Sequence, residues 1–379
     1  MNPFFSHLEC GNCGHDHDAS MVQTVCVECG GPLLARYDFE REGWPSLDVV
    51  LARPAGQFRF HEVQPTDAGA KTPTLGEGAT PLLAAPGVSP NLYVKDEAQN
   101  PTGSFKARGM ASAMARAVEL GLTRFALPSN GNAGGAAAAY GAMYEVEVEV
   151  FVPRATPSGL IAEPEAYGAK VTVVDGTIAD AGRLVAEKSA DTGVFNMATL
   201  REPFRIEGKK MMGFELLWDL GRLPEVVVYP TGGGTGLVGM VKAWDEMEAL
   251  GWIGSERPRM VAVQWEGCAP IVKAFHHGAD HAEPWVDPGT TAAYGLRVPS
   301  ALGDRLMLSG LRETDGTAVE VSEKELLDGT RRLAELAGIW GTPEGGACLA
   351  AVDQLGASGW VQPGETVVIF NTAAAGKYA

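Results

Sequence analysis

The run "NPTGSFK" (100–106) ends in a lysine whose surroundings suit chemistry better than solvation. Thr102, Gly103 and Ser104 are small enough for a close approach, and Lys106 opens "ARGMASAMARAVELG", a stretch of helical composition. An ammonium at a helix N-terminus lies against the positive end of the helix dipole, which favours the neutral amine. A neutral amine is a nucleophile able to form a Schiff base with an aldehyde.

A second motif supplies a place for an anion. In "EVVVYPTGGGTGLVGMVKAW" (225–244), a β-branched run ends at Pro230. Gly232, Gly233, Gly234 and Gly236, with Thr235 among them, then lead into a helix. Glycines there let backbone N–H groups crowd around a phosphate at the helix N-terminus. No Gly-Lys-Ser/Thr follows and the spacing is not G-x-G-x-x-G, so this is neither a P-loop nor a dinucleotide fingerprint. A third small-residue turn, "PSNGNAGGAAAAYG" (128–141), places Asn130 and Asn132 where side-chain amides can face a ligand. An amine nucleophile together with a phosphate cradle implies an aldehyde that carries a phosphate, and pyridoxal phosphate has both groups.

Cys10, Cys13, Cys26 and Cys29 fall in "CGNC" and "CVEC". Two C-x2-C knuckles bring four thiolates to one point, the tetrahedral soft-ligand set that suits zinc. Gly11, Gly14, Gly30 and Gly31 supply the turns. The alternatives are two disulfides, disfavoured in a reducing compartment, or a knuckle that binds no metal. His15 and His17 are potential substitute ligands; Cys268 and Cys348 read as ordinary packed thiols.

These residues must be positioned by a large scaffold. The chain has 379 residues, 45% hydrophobic and 20% charged, with no apolar run long enough to cross a bilayer. Its opening residues lack the pattern of a secretory signal, so a cytoplasmic protein is expected. A net charge of −17 without a basic patch argues against nucleic acid. After residue 35, buried-strand runs ("FALPS", "VEVFVP", "KVTVVD", "EVVVYP", "MVAVQ", "TVVIFN") alternate with helical segments such as "AGRLVAEKSA" and "EKELLDGTRRLAELAG". That rhythm predicts open, mostly parallel α/β/α sheets, with ligands at strand-to-helix junctions. The segment "FHHGADHAEPWVDPGTTAAYG" (275–295) reads as a long loop.

In that order, "NPTGSFKARG", "SNGNAG" and "PTGGGTG" resemble the fold-type II pyridoxal-phosphate enzymes, the group of threonine synthase, threonine dehydratase, serine racemase and tryptophan synthase β. Within the group, "TLGEGATPL" (74–82), "FRIEGKKMMGFEL" (204–216) and the cysteine-rich start resemble threonine synthase. The resemblance implies a zinc-ribbon-like module over 1–35 and a catalytic region over 36–379. It also implies a smaller subdomain at about 95–195 and a larger, phosphate-binding one at about 36–94 plus 196–379. It implies that Lys106 carries the cofactor and that Asn132 bonds the ring hydroxyl. Gly232, Gly233, Gly234, Thr235 and Gly236 would cradle the phosphate, and Thr372 would face the pyridine nitrogen. A hydroxyl there does not enforce ring protonation, which favours elimination and replacement over amino-group transfer. Arg205 would bind a phosphate of the substrate, O-phosphohomoserine; its other reading is a surface salt bridge with Glu207. A homodimer is expected.

The chain departs from the threonine synthase pattern at Ala107 and Ala133, where Asp and Thr are usual, and at Ala373, Ala374 and Ala375, where glycines are usual. The departures leave fold and cofactor intact but weaken the substrate assignment. A serine/threonine dehydratase or a β-replacement enzyme is the alternative within enzymes. The alternative outside them is a non-catalytic zinc-ribbon regulatory protein, against which the intact Lys106 argues.

Overall fold

A computed structural model describes residues 2–378. The chain divides into two compact units: residues up to Ala79 with Asn100–Met211 and the segment from Gly376 onward, and Thr80–Gln99 with Met212–Ala375.

The first unit opens with a three-stranded antiparallel sheet in which Phe5–Cys10 lies between Asp16–His17 and Leu33–Tyr37. Its inner residues, Phe5, Leu8 and Leu33, join the core formed by Met110, Met114, Phe125, Leu127 and Val150. The cysteine-bearing start is therefore packed onto the unit rather than tethered beside it. A four-stranded parallel sheet follows, ordered Lys170–Val174, Glu147–Pro153, Arg124–Pro128, Phe195–Asn196. The helices that matter for the site are α1 (Lys106–Glu119), α2 (Asn132–Met143), α3 (Ser158–Ala166) and α4 (Arg205–Lys209).

The second unit is a six-stranded sheet ordered Thr317–Val321, Arg259–Trp265, Val226–Pro230, Val367–Asn371, Leu92–Asp96, Leu82–Ala84. Every neighbouring pair is parallel except the last. Val226–Pro230 and Val367–Asn371 are buried along their whole length, as strands covered on both faces must be. Helix α5 (Thr235–Ala249) continues from the glycine turn.

Two features differ from the sequence expectation. Residues 36–79 belong with the Lys106 unit, not with the glycine cradle, and the division falls at Asn100 and Met211 rather than near 95 and 195. The segment is held by apolar and polar contacts alike: Tyr37 and Phe58 share a core with Met110 and Met114 of α1. Gln57 Nε2 donates to the Arg108 carbonyl (2.9 Å) and to Ser112 Oγ (3.0 Å), Ser112 donates to Gln64 Oε1 (2.5 Å), and Arg116 pairs with Asp67 (3.1 Å). These bonds stitch an irregular segment along α1.

Candidate active site

Lys106 begins α1 behind a backbone that few sequences tolerate. Thr102 (φ 58°) and Gly103 (φ 59°) both sit in the left-handed region. For a β-branched threonine that conformation is a true outlier. The Lys106 ammonium lies 4.0 Å from the centroid of the Phe105 ring, and the Lys209 ammonium lies 5.0 Å from the same ring. Two glycines permit this convergence. A Cβ on Gly109 would stand 2.9 Å from the Arg205 carbonyl and 3.0 Å from Lys209 Cε, and one on Gly208 would stand 1.8 Å from the Arg108 carbonyl. Each helix thus presents a glycine to the other's backbone, and α4 lies close enough to bring Arg205 and Lys209 to the Lys106 end of α1.

Burial governs the electrostatics here. Arg205 is 2% exposed; its Nη1 donates to the Met197 carbonyl (3.0 Å), while its Nε is buried with no hydrogen-bond partner. Its carboxylate neighbour is Glu202, at 3.9 Å, and the alternative reading, a surface pair with Glu207, does not hold. Glu202 accepts the backbone N–H groups of Phe204 (2.8 Å) and Arg205 (3.0 Å), yet burial pushes its carboxyl up to about 7. Burial, followed by repulsion from Lys106 and Arg205, drives the Lys209 ammonium well below the ordinary lysine value. The other two cations of "REPFRIEGKK" are elsewhere: Arg201 is exposed, and Lys210 pairs with Glu207 (2.5 Å), which also accepts from Tyr37 (2.7 Å).

Asn132 is the first residue of α2. Ser129 Oγ accepts from the N–H groups of Gly131 and Gly134, both at 2.9 Å, and so fixes the turn. Asn132 Nδ2 donates to the Tyr378 hydroxyl (2.8 Å), and Asn132 Oδ1 is buried without a partner. Asn130 is half-buried on the same turn.

In the second unit, the turn after Val226–Pro230 is a cradle that side chains would fill. A Cβ on Gly232 would meet the Gly295 carbonyl at 2.2 Å, one on Gly234 the Met307 sulfur at 2.0 Å, and one on Gly236 the Tyr229 hydroxyl at 2.1 Å. Gly234 is also left-handed (φ 73°). No side chain caps α5. Its first N–H groups are donors suited to an anion, so the turn fits a phosphate. Thr372, buried, follows Val367–Asn371, which pairs in parallel with Val226–Pro230. Parallel pairing puts Thr372 and the glycine turn at the same edge of one sheet.

The four cysteines also converge. Cys10 Sγ and Cys29 Sγ are 3.4 Å apart, Cys13 Sγ and Cys26 Sγ 3.7 Å, and all four lie within 4.8 Å of one another without a disulfide. Four sulfurs about 2.3 Å from a zinc ion stand about 3.8 Å apart, so this set fits one. His15 and His17 are not part of the cluster.

Sequence reasoning missed Lys377 and Tyr378, which touch Thr102 and Asn132 respectively. They lie in "VVIFNTAAAGKY", a stretch that pointed only to Thr372.

A family model described as pyridoxal-phosphate dependent enzyme matches residues 73–373. The chain is 32% identical over 373 residues to the threonine synthase of Methanosarcina acetivorans, covering 97% of this chain and 91% of that protein. It is 32% identical over 371 residues to the threonine synthase of Methanocaldococcus jannaschii, covering 96% and 91%. Among solved structures, a threonine deaminase from T.th. superposes with a TM-score of 0.63 at 27% identity, covering 75% of this chain and 87% of that one.

Proposed function

The chain belongs to the threonine synthases among the pyridoxal-phosphate dependent enzymes, and from that premise we propose the parts its own residues take in the reaction. It is a carbon–oxygen lyase that converts O-phospho-L-homoserine and water to L-threonine and phosphate. Lys106 would carry pyridoxal phosphate, with Asn132 as the partner of its ring hydroxyl and Thr372 as the partner of its ring nitrogen. The N–H groups of Gly232, Gly233, Gly234, Thr235 and Gly236 would hold its phosphate. When bound, the cofactor supplies an electron sink for charge that develops at the substrate Cα. The Lys106 amine removes the Cα proton as general base. Lys106 and Lys209 lie over the same Phe105 ring and repel each other when both are protonated, and that supports a neutral Lys106 amine as the base.

Arg205 binds the substrate's own phosphate through guanidinium N–H groups left over after its bond to Met197. The observation that carries the phosphorylated substrate over a free amino acid is this buried pair, Arg205 and Lys209, held at the Lys106 end of α1. A dehydratase acting on serine or threonine has no second phosphate to hold. The test is to supply O-phosphohomoserine to the holoenzyme and measure threonine and phosphate together. Equimolar threonine and phosphate are expected. Release of 2-oxobutyrate from threonine, with no phosphate from O-phosphohomoserine, would overturn the reading.

The four-cysteine site holds structural zinc, because four protein ligands leave no open position for a reacting molecule. The protein acts as a cytoplasmic homodimer without nucleic acid or membrane partners. Its net charge of −17 supports the first exclusion. Among the described residues no helix is long and apolar enough to cross a membrane, which supports the second.

A further inference from the structure

The chain leaves the second unit after Ala375, and the segment from Gly376 onward is grouped with the first. Its two polar side chains go to two of the residues on which the proposed cofactor site depends. Lys377 Nζ donates to the Thr102 carbonyl (2.5 Å) and to Glu163 Oε1 (2.9 Å), with Glu163 Oε2 at 2.7 Å. The Tyr378 hydroxyl accepts from Asn132 Nδ2 at 2.8 Å. Glu163 is itself fixed: it stands on α3 against Gly135 of α2, where a Cβ would come within 2.3 Å of its Oε2.

The two contacts land where positioning is needed. Thr102 is a β-branched residue in the left-handed region, a strained conformation that persists only when the surroundings over-determine it. The Lys377 ammonium on its carbonyl, anchored by Glu163, is such a restraint. Asn132 has one amide N–H bound to Tyr378, which sets the plane of the amide. That leaves the second N–H and the buried, partnerless Oδ1 for a ligand.

We infer that Lys377 and Tyr378 are positioning residues for the cofactor site: Lys377 holds the Thr102–Gly103 turn that delivers Lys106, and Tyr378 orients the Asn132 amide toward the cofactor ring hydroxyl. The inference rests on the proposed cofactor roles of Lys106 and Asn132. It adds a role for a stretch that otherwise carries only Thr372: Lys377 and Tyr378 follow in the same run "NTAAAGKY".

The test uses the full chain and reads cofactor binding rather than turnover. Apo protein is titrated with pyridoxal phosphate, followed by absorbance, for wild type, Lys377→Met, Tyr378→Phe, Asn132→Ala and the double variant Tyr378→Phe/Asn132→Ala; apo melting temperatures are measured in parallel. Lys377→Met is expected to weaken cofactor affinity on the order of thirtyfold through loss of a charge-assisted contact. Tyr378→Phe is expected to weaken it roughly five- to tenfold. Tyr378→Phe should add nothing in the Asn132→Ala background, because its effect runs through that amide. Lower apo melting temperatures with unchanged cofactor affinity would reduce both residues to packing and overturn the inference. Equal effects of Tyr378→Phe with and without Asn132 would overturn the Tyr378 half. Wild-type protein that bound no pyridoxal phosphate would overturn the cofactor site and the inference with it.

Discussion

Replacing Arg205 by methionine separates two roles that this arginine combines. Methionine keeps an unbranched chain of similar reach and removes the guanidinium. In the folded protein one donor is lost, the Nη1 bond to the Met197 carbonyl, in a place where Arg205 is 2% exposed. An unmade buried bond of this kind costs about 1–3 kcal/mol. The neighbouring carboxyl limits the damage: Glu202 keeps its bonds from the Phe204 and Arg205 backbone, and its carboxyl is already pushed up to about 7, so it can stay protonated without the cation. A folded, somewhat destabilised enzyme is therefore expected, and a melting curve measures that part. The functional part is the loss of a charge-assisted contact to the substrate phosphate, about 2–3 kcal/mol, or roughly 30- to 150-fold in kcat/KM for O-phosphohomoserine. Any side deamination of serine needs no second phosphate and should change little. Phosphate release from the first substrate and oxoacid release from the second, measured on the same preparation, make the comparison. If both fall by the same factor, Arg205 is a structural residue and the phosphate-binding role is wrong.

Other consequences can be measured as directly. In Gly232→Ala the new Cβ falls 2.2 Å from the Gly295 carbonyl, more than an ångström short of ordinary contact with a backbone atom. The turn must shift, and pyridoxal phosphate affinity should fall at least about tenfold, read by absorbance titration; wild-type affinity would remove these glycines from the phosphate site. Glu202 has a folded-state pKa of about 7 against an ordinary 4.5. The stability it contributes is fully present below the ordinary value and is lost as pH rises through about 7. Across that window wild type should lose on the order of 3 kcal/mol relative to Glu202→Gln in urea melts; parallel stability curves for the two proteins would show that the carboxyl does not titrate there. The purified protein should contain about one zinc per chain by elemental analysis, the stoichiometry of one four-thiolate site. Chelation should lower the melting temperature of the whole first unit, because Phe5 and Leu8 share a core with Met110 and Met114 of α1. Metal-free protein purified under reducing conditions with an unchanged melting curve would rule out a structural metal.

The parts of this molecule that were legible in the sequence are those whose signal is local. Val226–Pro230 and Val367–Asn371 read as buried strands because all but the last position, Asn371, are apolar, and the glycines that follow Pro230 can only be a tight approach. Leu92–Asp96 did not read as a strand, although it lies between Val367–Asn371 and Leu82–Ala84, because Lys95 and Asp96 break the apolar run. Lys95 is buried, with Glu215 at 2.9 Å, Asp219 at 2.7 Å and the Thr80 carbonyl at 2.7 Å, and no periodicity predicts a buried cation whose carboxylate partners lie more than a hundred residues away. The same limit explains the misplaced division of the chain: Gln57 and Gln64 look like loop residues until their bonds to α1 are seen. It also explains the site. Lys106, Asn132 and the glycine turn announce themselves because each stands at a strand-to-helix or loop-to-helix junction with its small neighbours beside it. Tyr378 reaches Asn132 across 246 residues of sequence, and Lys377 reaches Thr102 across 275. Groups that do chemistry carry a local signature because the backbone around them must be unusual; groups that hold them in place need only arrive from somewhere, and nothing local records where from.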